Sequence, residues 1–249
     1  MKPLFEYCLR LADNGLILGQ RLSEWCGHGP VLEQDMALTN IALDQIGQAR
    51  SLYQYAGEIE GKGRDEDQLA LLRSSNEYRN ALLVEQPNGH FGHTVLRQYL
   101  FDAFNHLNYT ALCQSKSEQL RAIAEKSLKE ITYHLRWSSE WVVRLGDGTE
   151  ESHSKMEEAL DDLWMFAGEL VTADELDRQM LEQGYGPDLD KIAPSYWAHI
   201  EATFERAQLQ KPENTWWQSG GKRGVHGEHM GYILAEMQHL QRAYPGQQW

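Results

Sequence analysis

The sequence predicts an all-α protein, a four-helix bundle followed by additional helices. Three observations lead to this prediction. Apolar residues recur every three or four positions over several long stretches, the spacing of a buried helix face. Segments rich in glycine and proline separate these stretches. Apolar and polar residues nowhere alternate long enough to indicate a sheet.

The predicted core bundle runs from about residue 4 to 146 and contains four long helices. Their apolar spacing places them at Leu4–Trp25, Leu32–Ile59, His93–Cys113 and Glu118–Leu145. The segments that end or separate them are CGHGP at 26–30, the polar loop GKGRDED at 61–67, a turn at QPNGH and a glycine stop at GDGTE. A shorter helical piece precedes the QPNGH turn.

Accessory helices are predicted over residues 151 to 243. The pattern gives a helical stretch broken near Thr172, a helix that resumes after Pro194, and a terminal helix that follows the loop GGKRG; their ranges are Glu151–Gln183, Lys191–Gln210 and His226–Ala243. Neither an internal repeat nor a low-complexity linker separates the two groups of helices. At 249 residues the chain can bury a substantial core, so we predict one domain, 1–249.

Composition excludes several classes of function. The formal net charge of −14 argues against nucleic acid and anionic membrane surfaces, which attract clustered Lys and Arg. No apolar run approaches membrane-spanning length, and the start MKPLFEYC lacks a signal-peptide pattern. The odd number of cysteines, with no metal-type spacing, suits free thiols in a reducing compartment, so we expect a cytoplasmic protein; they are Cys8, Cys26 and Cys113.

One polar side chain near the middle of each long helix raises the question of a metal centre. A ferritin-like di-iron site takes one carboxylate from each of two helices and a Glu-x-x-His from each of the other two. The corresponding positions here are Asp13, Asp44 with Gly47, Asp102, and Ile131 with His134. Glycine and isoleucine offer no donor atom, and iron requires oxygen or nitrogen donors. The sequence therefore predicts a bundle without a functional di-iron site and without catalysis of its own.

The same residues also have a purely structural interpretation, which we favour. Asp13 lies among apolar neighbours, so a buried carboxylate there must be paired or hydrogen-bonded. His134 is expected to be buried and held by Glu130 or by an aspartate. The alternative is that Asp13, Asp44, Asp102 and His134 bind one or two metal ions.

Other histidines and cations give weaker signals. Intact Glu-x-x-His occurs at Glu150–His153, in a region expected to be a loop, and at Glu236–His239, near the end of the terminal helix. In VHGEH, His226 and His229 are expected to be exposed at a helix start. In GGKRG, Lys222 and Arg223 lie beside glycines just before a helix and are candidates for contact with a ligand phosphate.

Three stretches resemble a known family. They are RLSEWCGHGPVLEQDMALTNIALDQIGQAR at 21–50, LLVEQPNGHFGHTVLRQY at 82–99 and GGKRGVHGEHMGYILAEMQHLQRAYPGQQW at 220–249. The family is that of the C subunits of bacterial ring 1,2-phenylacetyl-CoA epoxidases, and the resemblance runs nearly end to end. It implies a ferritin-like helical protein without an intact di-iron site, which agrees with Gly47 and Ile131.

The resemblance also implies partners, cofactors and a reaction. The C subunit pairs with a homologous catalytic A subunit that holds the two irons, and the system includes a small B protein and a reductase with flavin and iron–sulfur centres. With oxygen and NADPH the complex converts phenylacetyl-CoA into its ring epoxide in aerobic phenylacetate degradation. This chain is then expected to be a structural subunit with no cofactor of its own, in a heterodimer with the A subunit.

Overall fold

The computed structural model describes residues 2–213 and 216–247, and all of their regular structure is helical. Met1, Asn214, Thr215, Gln248 and Trp249 lie outside the described residues, so the last two positions of the stretch 220–249 are not covered. The helices are α1 Lys2–Ser23, α2 Leu32–Glu60, α3 Glu66–Leu71, α4 Leu82–Glu85, α5 Phe91–Leu112, α6 Glu118–Gly146, α7 Glu150–Val171, α8 Glu175–Gln183, α9 Leu189–Arg206, α10 Glu228–Met237 and α11 His239–Ala243. The predicted all-α class is confirmed.

The contacts divide the chain into two compact units. The first unit comprises Met1–Glu85 together with Gly220–Trp249, and the second comprises Gln86–Ser219. Helices α1 to α4, α10 and α11 belong to the first unit, and α5 to α9 belong to the second. The single domain expected over 1–249 stays a prediction.

In the first unit, α1 and α2 pack closely as an antiparallel pair. A Cβ added at Gly19 would lie 3.2 Å from the carbonyl oxygen of Ala42, and one added at Gly15 would lie 3.1 Å from that of Gln45. Farther towards the start of α1, Asp13 reaches Tyr53 near the end of α2. Small residues on α1 thus let the two backbones approach, and the hydrogen bond of Asp13 is formed at this tight contact.

In the second unit, α5 and α6 form another antiparallel pair, with α7 and α9 packed against them. The Phe91 and Trp141 rings meet edge to face with centroids 5.4 Å apart, and farther along α5 Asp102 bonds to Ser138 of α6. An aromatic cluster links α7, α9 and the following loop; its members are Trp164, Trp197, Phe204 and Trp217.

Two predicted boundaries in the accessory region differ from the structure. Helix α9 begins at Leu189, so Pro194 lies inside it and does not precede it. The buried side chains of Leu189 and Ile192 hold this first turn in place although proline removes one backbone donor. The predicted terminal helix His226–Ala243 is two helices, α10 and α11, separated at Gln238.

None of the helices within residues 2–213 and 216–247 combines the length and apolar character required to cross a bilayer.

Candidate functional site

Asp13 lies at the centre of a buried ion-pair network in the first unit. Its carboxylate has no exposure to solvent. It accepts hydrogen bonds from the hydroxyl of Tyr53 at 2.5 Å and from the backbone N–H of Arg79 at 2.7 Å. The guanidinium of Arg73, itself 3% exposed, donates to both carboxylate oxygens. The expectation that Asp13 is buried and paired is therefore correct.

The surroundings of Arg73 keep its charge in place. Burial is the largest single influence and would lower the pKa of Arg73, but Asp13 together with Tyr53 and Tyr78 outweighs burial and the pKa is raised. The guanidinium also lies over the Tyr78 ring, 4.2 Å from its centroid. Burial raises the pKa of Tyr78 to about 12, so its hydroxyl stays protonated at neutral pH. Asp13 thus faces a permanent cation and neutral phenols.

Helix α2 presents a different face from the one predicted. Gly47 is exposed and Asp44 is half-buried, whereas Gln45 and Gln48 are 1% and 5% exposed. One residue turns a helix by about 100°, so a shift of one position moves a side chain to another face. The expected inward position of Asp44 and Gly47 is wrong. The buried pair with i, i+3 spacing on α2 consists of two neutral amides.

A second buried carboxylate, Glu85, lies at the end of α4 in the first unit. Its Oε2 is 2.8 Å from Nδ1 of His226 and accepts from Asn80 at 3.1 Å, and its Oε1 accepts from the N–H of Gly227 at 2.7 Å. The other ring nitrogen of His226 is 3.1 Å from the carbonyl oxygen of Tyr78. Since both neighbours of the ring accept hydrogen bonds, both ring nitrogens donate, and the geometry selects the imidazolium.

Electrostatics agree with a charged His226. Burial would lower its pKa, but the hydrogen bond and the charge of Glu85 outweigh burial, and the pKa of His226 is raised. The side chain of His226 is 4% exposed. The expectation that His226 is exposed at a helix start is wrong, because α10 begins only at Glu228 and the ring turns inward to Glu85.

The second unit contains the predicted residues Asp102, Ile131 and His134, all with 0% exposure. Asp102 accepts hydrogen bonds from Gln98 at 2.7 Å and from the hydroxyl of Ser138 at 2.8 Å. Burial raises the pKa of Asp102 to about 7, and the nearby His134 opposes that rise. The burial expected for His134 is confirmed, and its electrostatic neighbour on α5 is an aspartate.

The donors of each unit do not fit a di-iron centre. In the first unit the carboxylate of Asp13 is neutralised by Arg73, and the buried pair on α2 offers only amides. In the second unit Ile131 occupies the position where a Glu-x-x-His motif would require a carboxylate. Two irons need several anionic oxygen donors. The fixed guanidinium of Arg73 would also repel the iron cations. The arrangement can support a folded core, and its donor set does not match that of a di-iron centre.

Comparison with known proteins identifies the family. Residues 1–249 match the sequence profile described as phenylacetic acid catabolic protein. This chain belongs to the phenylacetic acid catabolic protein family. It is 49% identical over 249 residues to the C subunit of the 1,2-phenylacetyl-CoA epoxidase of Escherichia coli (strain K12), and the alignment covers 100% of both chains. The resemblance found in the sequence is confirmed, and so is the ferritin-like fold class.

Two candidate substrate contacts of this family member lie in one short turn. Lys222 and Arg223 lie in a 3₁₀ turn, Gly221–Arg223, where Lys222 is half-buried and Arg223 is exposed. A Cβ at Gly221 would meet the carbonyl oxygen of Asn80 at 2.2 Å, so this turn is held closely. Their role as substrate contacts stays a prediction.

The two intact Glu-x-x-His patterns are not placed as expected. Glu150 and His153 lie in the first turn of α7, and the His153 ring is 2.6 Å from the carbonyl oxygen of Gly146, so the expectation of a loop there is wrong. Glu236 and His239 lie on different helices, α10 and α11.

Sequence reasoning missed the groups that make the buried charges possible. Arg73 lies between α3 and the 3₁₀ turn Ser75–Glu77, in a stretch without helical periodicity, and nothing in the sequence marks it as buried. Glu85 follows an apolar run in LLVEQ, and sequence reasoning did not single it out. A charged residue inside an apolar run is a usable signal, because burial of a charge requires a partner.

We expect Asp13→Asn to destabilise the protein strongly. The substitution leaves Arg73 buried without its counter-charge, which costs about 3–5 kcal/mol of unfolding free energy. Urea unfolding followed by tryptophan fluorescence measures the loss. The half-buried Asp44 on α2 provides the control, and Asp44→Asn should cost less than about 1 kcal/mol. Equal losses in the two variants would contradict the ion-pair assignment.

We also expect the His226–Glu85 pair to make stability depend on pH. Because the folded pKa of His226 is raised, its contribution is fully present below the unfolded pKa of about 6.5 and is lost as pH rises through the folded pKa. Stability of the native protein should therefore fall more steeply above about pH 6.5 than that of His226→Gln.

The comparison is made by urea unfolding at a series of pH values. Taking the difference between the two curves removes the contribution of Asp102, which both proteins share. Replacement of the exposed His28 by glutamine serves as the control and should leave the slope unchanged. A native slope equal to that of His226→Gln would show that the ring is not charged in the folded state.

Proposed function

We propose that this chain is a structural, non-catalytic subunit of a phenylacetyl-CoA epoxidase. Its partner would be a homologous catalytic subunit that holds the di-iron centre, with a small B protein and a reductase that carries flavin and iron–sulfur centres and uses NADPH. The complex would epoxidise the aromatic ring of phenylacetyl-CoA in aerobic phenylacetate degradation. The proposal is supported by the name of the E. coli relative and by the resemblance of the three long stretches.

The observation that carries the non-catalytic role is the Asp13–Arg73 ion pair. Asp13 is the one predicted carboxylate position of the first unit that is fully buried, and a guanidinium already occupies both of its oxygens. A cation fixed at this position takes the electrostatic place of a metal ion and satisfies the carboxylate without one. The helical fold is kept, and at this candidate ligand position an ion pair stands in place of a metal contact.

An exposed apolar stripe on α2 is the surface that we assign to the partner. Leu32, Met36 and Leu43 are 72%, 56% and 63% exposed and fall within about 40° of one another around the helix. Ile46 and Gly47 continue the stripe, and apart from the adjoining residues and backbone of α2 itself, no atom of the described residues lies within 4 Å of a Cβ built at Gly47. Large aliphatic side chains exposed in a continuous row mark a protein contact. A glycine there lets another backbone approach.

The rival function is that this chain is itself a di-iron-type oxygenase. It would require Asp13, Asp102 and His134 to bind metal in spite of Arg73 and Ile131. The donor set described above disfavours it, since iron would have to displace a buried ion pair in the first unit. Iron analysis of the purified chain separates the two functions: the structural role predicts no iron that depends on Asp102 or His134.

We expect charges in the α2 stripe to abolish assembly with the catalytic subunit. The double substitution Met36→Glu/Leu43→Glu places two carboxylates in the apolar contact and should weaken association by at least about 100-fold, since each buried unpaired charge costs several kcal/mol. Both residues are exposed, so the isolated chain should still fold. Co-purification of the mixed subunits, with size-exclusion chromatography and light scattering, measures the loss.

The control for this experiment is another exposed leucine of the same unit. Leu72 is 49% exposed and follows α3, away from the stripe, and Leu72→Glu should assemble normally. The docking surface is disproved if the double variant assembles as well as Leu72→Glu. The structural role itself is disproved if the catalytic subunit is equally soluble, iron-loaded and active when this chain is absent.

A second candidate role is contact with the coenzyme A moiety through Lys222 and Arg223. The closely held turn Gly221–Arg223 presents an exposed guanidinium on a chain that is acidic as a whole. Guanidinium and ammonium groups bind phosphates by charge-assisted hydrogen bonds. This role is compatible with a structural subunit whose cations contact the substrate bound by the complex.

We expect Lys222→Gln/Arg223→Gln to weaken acyl-CoA binding by the assembled complex by about 10-fold or more if these cations contact phosphate. Calorimetric titration with phenylacetyl-CoA provides the measurement. The exposed pair Arg136 and Arg144 on α6 provides a control of equal charge change. Unchanged affinity in the Lys222/Arg223 variant, or an equal change in both variants, removes the role.

A further inference from the structure

Two histidines at the start of α5 form a cluster that the proposed function does not use. His90 is the N-cap of α5 and His93 lies one turn later, at the i, i+3 spacing that places two side chains on one face. Their ring centroids are 4.1 Å apart. Glu158 of α7 completes the cluster, with its Oε2 3.8 Å from Nε2 of His90. All three residues belong to the second unit.

The ligand-type atoms of this cluster converge. One donor atom from each of His90, His93 and Glu158 lies within 4.8 Å of the other two. Nε2 of His90 and Nδ1 of His93 are both buried, and neither has a hydrogen-bond partner among the residues that the structure describes. Buried polar atoms of folded proteins are nearly always bonded, so two unbonded ring nitrogens in one cluster call for an explanation. A bound cation would satisfy both atoms at once, through the Nδ1 lone pair of His93 and through Nε2 of His90 once the ring proton of His90 has moved to Nδ1.

Asp162 of α7 orients one of the two rings. Its Oδ2 is 2.9 Å from Nε2 of His93. A proton on Nε2 is donated to this carboxylate, and the tautomer so fixed leaves the lone pair on Nδ1, the unbonded atom. Histidines that bind metal regularly donate their second ring N–H to a carboxylate, which fixes the ring and makes it a better donor. Asp162 therefore fits the role of an outer-shell carboxylate.

We propose that His90, His93 and Glu158 form a binding site for a divalent transition metal of the zinc class. Two imidazoles and one carboxylate are a donor set that zinc accepts with water in the fourth position. The site lies apart from the positions Asp102, Ile131 and His134 of the same unit, and it goes beyond the sequence expectation of a chain with no metal. It does not rest on the proposed function.

Two neighbours act against metal binding, and neither prevents it. Nδ1 of His90 accepts the N-cap hydrogen bond from the N–H of His93 at 3.4 Å, a long distance for such a bond. Binding through Nε2 moves the ring proton to Nδ1 and gives up this weak bond. Lys155 is the nearby cation, and its ammonium is held by Glu151 at 2.6 Å. Glu158 and Asp162 supply the opposing charge.

The role of such an ion would be structural. It would join the first turn of α5 to the middle of α7, where Glu158 and Asp162 are 64% and 65% exposed. A ligand that binds only the folded state raises the melting temperature. The bound ion would thus cross-link two helices of the second unit.

The test uses the full chain, purified and freed of metal with a chelator. Titration with Zn²⁺ by calorimetry should give one site per chain, and Co²⁺ should give the visible absorption of a histidine-bound ion. Glu158→Gln and His90→Asn should each weaken Zn²⁺ binding at least about 10-fold, since each removes a donor. Asp162→Asn should weaken it about 10- to 100-fold. Asparagine at position 90 keeps a good N-cap, so His90→Asn should fold.

The neighbouring Glu157 supplies the matched control. It is exposed, pairs with His153 and lies outside the cluster, so Glu157→Gln should bind Zn²⁺ like the native chain. Absence of a stoichiometric site, or equal affinity in Glu157→Gln and Glu158→Gln, would overturn the proposal. Iron bound at Asp102 and His134 would instead be lost when either of these residues is replaced. Failure of the zinc site can therefore be distinguished from failure of the structural role.

Discussion

The fold of the first unit depends on the enclosure of one carboxylate, Asp13, by one guanidinium. An uncompensated charge at a position with no solvent exposure is too costly for a protein of ordinary stability, so the surrounding segments must converge on it. The loop that carries Arg73 and Arg79 and the phenol of Tyr53 on α2 all close around this group. These bonds to Asp13, with that of Ala81 N–H to Asn14, tie the segment 72–81 to α1.

The two units use different solutions to the same problem of burying polar groups. In the first unit Asp13 and Glu85 are each matched by a cation, and their charges are retained. In the second unit Asp102 has neutral hydrogen-bond donors and a histidine neighbour, and its raised pKa shows that the protonated form is accessible near neutrality.

The long helices could be predicted from apolar spacing because each buries a wide face, and their ends lay within a few residues of Leu4–Trp25, Leu32–Ile59, His93–Cys113 and Glu118–Leu145. The face of α2 could not be predicted in the same way. Its apolar residues divide between a buried row with Leu38 and Ile41 and an exposed row with Met36 and Leu43, and periodicity does not distinguish a buried row from an exposed one. The partners of Asp13 and Glu85 are distant in sequence, and only the folded chain brings them together.

The return of residues 220–247 to the first unit has a consequence for how the chain is made. His226 covers Glu85, and the side chains of Gln238 and Arg242 donate to the carbonyl oxygen of Arg73. A growing chain therefore has every residue of the second unit available for folding before the first unit can be completed. During synthesis Glu85 lacks its partner His226 until the second unit has been made, whereas the partners of Asp13 all lie within the first eighty-five residues. The first unit can therefore be completed only after residues 86–219 have been synthesised, although most of its residues are made before them.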